Sequence, residues 1–296
     1  TGCMVFSLYG ATKKPTKEMM DTIDILAFDI QDVGARFYTF LYTMAYGLMA
    51  CKEFDKPYVV FDRPNPVNGM DVEGNRLDLA FSSFVGNYEL PQRYGLTIGE
   101  LALYLNEELD IKADLHVVKM TDYKRTMTYK ETEFPWVFPS PNIPTMDTPF
   151  YYLSTCLFEG TNMSEGRGTT KPFQLIGSPY LNAELVIDIM RGYTLPGVQF
   201  RPLFFTPTFS KHKGVLCNGI ELYITDYTLF QPVLTGMILV KTIEMNHPEF
   251  RYNPPYKEGL NQMIDLLNGN DFIRTNRLTI DEIKHCITTD STEFNN

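Results

Sequence analysis

Two apolar runs of strand length, separated by a segment of helix length, constrain the fold of this chain more than any other feature. Residues 24–30 and 56–62 are nearly continuous apolar stretches, and the segment between them, residues 38–54, is predicted to form a helix. Continuous apolar runs are typical of strands in a parallel sheet that is covered on both faces. The alternation therefore predicts an α/β fold with a Rossmann-like, mostly parallel sheet.

Further elements extend this pattern toward the middle of the chain. Residues 4–9 and 114–120 are predicted strands, and Thr97 with Glu100 forms the capping-box signature of a helix N-terminus. Prolines crowd residues 135–149, where regular structure should break.

The domain prediction follows from that break. We predict that residues 1–138 form the Rossmann-like domain, incomplete at its N-terminus, and that 139–296 form a smaller α+β C-terminal domain. In this second domain, the helices are predicted at 181–190 and 229–246 and the strands at 199–205 and 217–226.

Composition excludes several classes of partner and cofactor. The net charge of −10 argues against nucleic acid as the main partner. No run of 18 apolar residues is present, so no membrane span is expected. The five cysteines and four histidines are dispersed, which predicts no metal site, and the thiols are expected to act as small buried apolar groups. A dinucleotide fingerprint is absent, so we expect no cofactor.

Polar side chains follow both apolar runs at the point where each predicted strand ends. They are Asp29, Asp32 and Arg36 after the first run, and Asp62, Arg63 and Asn65 after the second. Ligands of open parallel sheets bind at the carboxyl ends of the strands, so these residues predict a site. The alternative is helix capping and Asp–Arg pairing within loops.

The stretch 159–170 is a second candidate, because it crowds ionic and amide groups among three glycines. Its candidate residues are Glu159, Asn162, Glu165, Arg167 and Thr169. Glycine lets a backbone approach a ligand closely, which favours a binding loop over a capped turn with an internal Glu–Arg pair. Upstream, Asn142 is a candidate for hydrogen bonding to a polar ligand.

Paired carboxylates with amides and arginines fit the hydrolysis of glycosides, which uses one carboxylic acid and one carboxylate. The amides and guanidinium groups would hold sugar hydroxyls, an acetamido group or a carboxylate. The same residue types fit an Mg-dependent phosphoryl hydrolase, in which acids bind a hard cation. A non-catalytic peptidoglycan- or glycan-binding module is the third hypothesis.

Several long motifs resemble one family. FDIQDVGARFYTF (28–40), DRPNPVNG (62–69), PSPNIPT (139–145) and FEGTNMSEGRGTTKPF (158–173) are similar, in order and spacing, to motifs of the DUF1343 family, the NamZ exo-β-N-acetylmuramidases. The resemblance implies a glycoside hydrolase that releases N-acetylmuramic acid from the non-reducing end of peptidoglycan fragments. It also implies a Rossmann-like domain beside a smaller C-terminal domain, peptidoglycan-derived muramyl saccharides as partners, and an extracytoplasmic location in the periplasm or cell envelope.

The chemistry of the candidate residues suggests roles for them in this reaction. We assign the reacting carboxylates to Glu159, Glu165, Asp29 and Asp32. Binding of the lactyl carboxylate is assigned to Arg36, Arg63 and Arg167, and binding of the acetamido group or hydroxyls to Asn142 and Asn162. The resemblance implies a further segment upstream of Ser7, with a Pro-Glu-His-Gly motif whose Glu is the family's leading candidate for the catalytic acid. We therefore expect that this chain lacks that segment.

Overall fold

A computed structural model describes residues 2–10, 12–275 and 279–295, without the side chains of 288–293 and 295. The helices are α1 (Lys17–Met20), α2 (Phe40–Glu53), α3 (Ile98–Glu108), α4 (Thr148–Thr155), α5 (Ala183–Gly192), α6 (Pro232–Asn246), α7 (Met263–Asn268), α8 (Phe272–Thr275) and α9 (Ile280–Asn295). The strands are β1 (Leu26–Phe28), β2 (Tyr58–Phe61), β3 (Val72–Glu73), β4 (Arg93–Tyr94), β5 (Leu115–Val118), β6 (Leu175–Ser178), β7 (Val198–Phe205) and β8 (Cys217–Ile224). The described residues also form 3₁₀ turns at Leu79–Phe81, Tyr129–Thr132 and Cys156–Gly160.

The chain divides into two compact units. The N-terminal unit comprises residues 1–34, 38–71 and 95–135, and the C-terminal unit comprises 35–37, 72–94 and 136–296. The C-terminal unit therefore takes in two segments, 35–37 and 72–94, from within the first half of the sequence.

The N-terminal unit is built on a parallel sheet in the order β1-β2-β5. Leu26 lies opposite Tyr58, and Tyr58 lies opposite Leu115 on the next strand. Helix α2 connects β1 to β2, and α3 lies between β2 and β5 along the chain. The predicted α/β class with a parallel sheet is confirmed, as are these three strands and two helices.

Local chemistry explains how α2 and α3 are placed. Gly47 on α2 allows close contact with the sheet, because a Cβ there would lie 2.5 Å from the Tyr58 hydroxyl. That hydroxyl donates to the Met44 carbonyl at 3.2 Å. The N-terminus of α3 has the predicted capping box, in which Thr97 accepts from the Glu100 amide and Glu100 from the Thr97 amide.

Two predictions about the N-terminal unit need correction, one about a strand and one about the burial of the sheet. Residues 4–9 form no strand, and Met4 and Val5 are 71% and 89% exposed. A strand requires a neighbour for its backbone groups, and none of the described strands pairs with this run. The sheet is also not buried on both faces. Phe28 and Val60 on the face toward the helices are buried, whereas Phe61 and Val118 on the other face are 43% and 48% exposed.

The C-terminal unit contains an antiparallel sheet in the order β6-β8-β7. Strands β7 and β8 pair along their full lengths, from Val198 opposite Ile224 to Phe205 opposite Cys217. Helix α6 is buried on nearly all sides and crosses α4 closely, since a Cβ on Gly236 would lie 1.7 Å from the Ser154 carbonyl oxygen. The predicted α+β character of the second half is confirmed.

The described helices include none whose length and hydropathy would let it cross a membrane. All five cysteines are free thiols, and Cys51, Cys156 and Cys217 are buried. Burial raises the pKa of Cys51 and of Cys217 to about 11. These three cysteines therefore act as small apolar groups, as predicted.

Candidate functional site

The polar residues after β1 and β2 come together within the N-terminal unit. We call Asp29, Asp32, Asp62, Arg63 and Asn65 the strand-end cluster. Arg63 binds the Oδ1 atom of Asp29 with two nitrogens, Nε at 2.7 Å and Nη2 at 2.6 Å. The two side chains are 37% and 56% exposed, so this ion pair is open to solvent.

Asp32 and Asn65 shape the backbone of the same region. Asp32 Oδ2 accepts from the Gly34 amide at 2.9 Å, and Asn65 Oδ1 accepts from the Val67 amide at 3.1 Å. Gly34 has a φ of +75°, and a Cβ there would lie 2.3 Å from Asn65 Oδ1. Only glycine satisfies both conditions, so this turn depends on the glycine of the FDIQDVGARFYTF motif.

Asp62 lies at the N-terminus of α3 rather than on open surface. Its carboxylate accepts from the Gly99 amide at 2.8 Å and from the Thr97 hydroxyl at 3.0 Å. Burial raises the pKa of Asp62 above its ordinary value, although these hydrogen bonds and one from the Arg63 amide act in the opposite direction. Asp62 therefore anchors α3 to the end of β2, which is the capping role that the sequence left open as an alternative.

The predicted loop after α4 forms a second group, the central-loop cluster, made of Glu159, Glu165, Arg167 and Lys211. Arg167 donates to Glu159 Oε1 at 2.5 Å, and its Nε lies 3.3 Å from Glu165 Oε1. The second oxygen of Glu165 accepts from Lys211 Nζ at 3.0 Å. The Glu165 side chain is 3% exposed, so two cations enclose a buried carboxylate.

Lys211 is a member that the sequence reasoning missed. Besides Glu165, its ammonium donates to the carbonyls of Phe158, Glu159 and Met163 at 2.7, 3.2 and 3.0 Å. No local motif marks residues 206–216, but the charge balance offers a signal. Two carboxylates beside one arginine leave an excess negative charge, and a buried excess charge requires a second cation.

The backbone around Lys211 is held in an unusual conformation. Ser210 and His212 have φ values of +66° and +56°, in the left-handed region that costs non-glycine residues roughly 1–3 kcal/mol each when strained. Contacts to the central loop hold it there. His212 Nε2 lies 2.8 Å from the Asn162 carbonyl oxygen, and the Thr208 amide donates to Gly168 at 2.8 Å.

The environment of Arg167 follows from this arrangement. Its guanidinium lies 5.0 Å from the centre of the Phe173 ring. Burial acts to lower the pKa of Arg167, but the carboxylates of Glu159 and Glu165 outweigh it, so the pKa is raised. The two glutamates therefore favour the charged form of Arg167.

The other predicted binding residues are engaged within the protein. Arg36 is fully buried and donates to the carbonyls of Asn75, Leu90, Leu267 and Asn268, which gives it a structural role and no access to a substrate.

Asn162 uses its amide on the Glu249 carbonyl and accepts from the Tyr180 hydroxyl and the Arg251 amide. Thr169 donates to the Gly166 carbonyl within its own turn, and Asn142 is half-buried. For these three residues substrate binding stays a prediction.

The chemistry available is that of carboxylates beside arginines. In the strand-end cluster, an exposed Asp29–Arg63 pair can exchange partners with a ligand. In the central-loop cluster, Arg167 contacts only Oε1 of Glu159, so Oε2 takes no part in this ion pair. Among the described residues, no group of three Asp, Glu, His or Cys side chains is arranged to hold a metal ion. The fold and these acids define an α/β protein with two carboxylate–arginine clusters.

Solved structures share this fold. Two crystal structures of DUF1343 family proteins from Bacteroides fragilis resemble the chain. One has a TM-score of 0.89 at 34% identity and covers 98% of this chain and 77% of its own. The other has a TM-score of 0.75 at 32% identity and covers 95% and 75%.

Family models identify the family. Residues 1–147 match the N-terminal model of the exo-beta-N-acetylmuramidase NamZ, and residues 150–296 match its C-terminal model. The chain belongs to the NamZ exo-β-N-acetylmuramidase family, as its motifs indicate. It is 52% identical over 275 residues, 93% of its length, to the peptidoglycan beta-N-acetylmuramidase NamZ of Bacillus subtilis strain 168. The chain spans 65% of the length of that relative.

Proposed function

We propose that this protein is an exo-β-N-acetylmuramidase that hydrolyses terminal N-acetylmuramic acid from peptidoglycan fragments. The observation that carries the proposal is the 52% identity to a peptidoglycan β-N-acetylmuramidase over nearly the whole chain. Both halves also match the models of that family. The carboxylates of the two clusters are the residue type that glycoside hydrolysis requires, and their arginines can bind a substrate carboxylate.

Within this reaction the structure favours some of the predicted residues over others. Glu159 has one carboxylate oxygen outside its pairing with Arg167, so it can transfer a proton or position water. Glu165 has both oxygens held by cations, which suits a residue that positions Arg167 and Glu159. Asp29 and Asp32 remain the candidates in the N-terminal unit.

Arg63 is the best candidate for the lactyl carboxylate that distinguishes muramic acid from glucosamine. Its guanidinium already binds one carboxylate through two nitrogens, and the pair is partly exposed. A substrate carboxylate could replace Asp29 without the cost of uncovering a buried charge. Arg36 has no such exposure, so we leave it out of the binding site.

The test is hydrolysis of a chromogenic β-N-acetylmuramide beside the matching β-N-acetylglucosaminide. We expect selective cleavage of the muramide. Glu159→Gln should lower kcat by about a hundredfold or more if Glu159 acts in proton transfer. Arg63→Gln should lower kcat/KM for the muramide by about tenfold to a hundredfold, because a hydrogen-bonded charge contributes roughly 1.5–3 kcal/mol.

Arg191→Gln is the matched control, since Arg191 is an exposed arginine in an ion pair with Asp188 on α5, outside both clusters. Cleavage of both sugars at equal rates would contradict the proposed specificity. Binding of muramyl saccharides without cleavage would favour a glycan-binding module, and Mg²⁺-dependent hydrolysis of a chromogenic phosphate ester would favour a phosphoryl hydrolase.

We also propose that the protein acts outside the cytoplasm, in the periplasm or cell envelope, in cell-wall turnover. What supports this is the substrate of the related enzyme, because peptidoglycan lies outside the cytoplasmic membrane. Fractionation of the source cells with antibody detection would test it, and recovery in the cytosolic fraction alone would refute it.

A further inference from the structure

A cavity of about 420 Å³ opens in the C-terminal unit beside Glu159. Its volume falls in the range of small-molecule sites. The lining combines a carboxylate, two amides and an exposed aromatic ring with apolar side chains. These residues are Glu159, Asn253, Asn261, Tyr256, Met263 and Leu266.

The walls of this cavity are fixed by backbone contacts. The Asn253 amide donates to the Gly160 carbonyl at 2.8 Å, and its side chain donates to the Glu159 carbonyl at 3.1 Å. Helix α7 packs directly on the loop, since a Cβ on Gly160 would lie 2.5 Å from the Ile264 nitrogen. The cavity is therefore formed before any ligand enters, which lowers the entropic cost of binding.

Several groups in the cavity are available to a ligand. Glu159 uses Oε1 for Arg167, and Asn261 uses its amide nitrogen for the Ala80 carbonyl. Within the described residues, Glu159 Oε2 and Asn261 Oδ1 have no hydrogen-bond donor. Tyr256 is 102% exposed, so its ring is fully open to solvent at the rim. Acceptors for hydroxyl groups beside an open aromatic face suit a sugar ring.

The charge of the cavity selects among sugars. None of the described residues that line it is cationic, and its one carboxylate is paired with Arg167. A second carboxylate, such as a lactyl group, would enter without a positive partner, whereas an uncharged sugar meets no such penalty.

We propose that this cavity is a binding subsite for an uncharged N-acetylhexosamine, the glucosamine-type unit of peptidoglycan. The choice of amino sugar rests on the proposed function. The site itself rests on the cavity, its unpaired acceptors and the exposed ring of Tyr256.

Calorimetric or NMR titration with N-acetylglucosamine and with N-acetylmuramic acid tests this proposal. N-acetylglucosamine should bind more tightly than N-acetylmuramic acid at this site. Tyr256→Ala should weaken its affinity by about threefold to tenfold, because an aromatic contact contributes roughly 0.5–1.5 kcal/mol. Asn261→Ala should weaken it as well. Tyr256 is fully exposed, so its replacement leaves folding intact.

Phe204→Ala is the matched control, because Phe204 is a 70% exposed aromatic residue that lines a different cavity of the same unit. An affinity for N-acetylglucosamine that is unchanged by Tyr256→Ala, no binding of N-acetylglucosamine, or a larger loss of N-acetylmuramic acid binding than of N-acetylglucosamine binding in Tyr256→Ala would each overturn the proposal. Hydrolysis of the chromogenic muramide is measured separately on the wild-type protein. Its absence would refute the proposed function while the sugar-binding result still decides the subsite.

Discussion

The two clusters use the same residue types in opposite environments. The Asp29–Arg63 pair of the strand-end cluster has side chains 56% and 37% exposed, whereas Glu165 of the central-loop cluster is 3% exposed and lies between Arg167 and Lys211. Exposed pairs contribute little to stability and exchange partners readily, but a buried carboxylate is costly without its cations. The first arrangement therefore suits ligand exchange, and the second suits rigid positioning.

The largest expected effect comes from Glu165→Gln. Removing the charge leaves Arg167 and Lys211 facing each other without their common partner, so we expect a loss of about 3 kcal/mol in the free energy of unfolding. Urea denaturation followed by circular dichroism measures this. Glu249→Gln, at an exposed glutamate of the same unit, is the control. If both variants were equally stable, the central-loop cluster would not be a stabilising element.

Lys211→Met should follow in size, because it removes four hydrogen bonds to the central loop. We expect a loss of about 2 kcal/mol, and a coupling of about 1–2 kcal/mol with Glu165→Gln in a double-mutant cycle. Additive losses in the cycle would mean that the Lys211 ammonium acts on the carbonyls alone.

Asp29→Asn should change the unfolding free energy by only about 0.5 kcal/mol or less, because its pair with Arg63 is open to solvent. The same variant should lower kcat for the muramide if Asp29 acts on the reacting bond, and should raise kcat/KM if Asp29 only competes with the substrate carboxylate for Arg63. A large loss of stability would contradict the contrast between the clusters, and unchanged kinetics would remove Asp29 from the site.

The smallest effects are opposite pH dependences in the two units. Burial raises the pKa of Asp62, so its contribution to stability is present below the unfolded pKa of about 3.9 and is lost as pH rises through the folded pKa. Burial acts to raise the pKa of Glu221, but Lys171 and Arg201 outweigh it and lower the pKa. Its contribution is present above the unfolded pKa of about 4.3 and is lost as pH falls through the folded pKa.

Denaturation of Asp62→Asn and Glu221→Gln between pH 3 and 6 checks these signs. The deficit of the Asp62 variant relative to wild type should shrink as pH rises, and that of the Glu221 variant should shrink as pH falls. Deficits that move in the same direction would show that one of the two shifts is assigned with the wrong sign.

The sequence by itself determined the elements whose signals are local. Strands β1, β2 and β5, helices α2 and α6, and the Thr97–Glu100 capping box follow from apolar runs and residue spacings of a few positions. The charged residues of both clusters other than Lys211 were also visible, because polar groups after buried strands and among glycines are unusual.

Only the tertiary structure decided which of these groups are buried and what they touch. Lys211 contacts Glu165, which is 46 positions away in the sequence, and Arg36 contacts the Asn268 carbonyl, which is 232 positions away. No local sequence pattern predicts either contact. For the same reason, the sequence did not predict that one face of the parallel sheet is exposed to solvent. An apolar run indicates that burial would be favourable. Burial is achieved only when another part of the chain packs on that run, and this packing is decided by the tertiary structure.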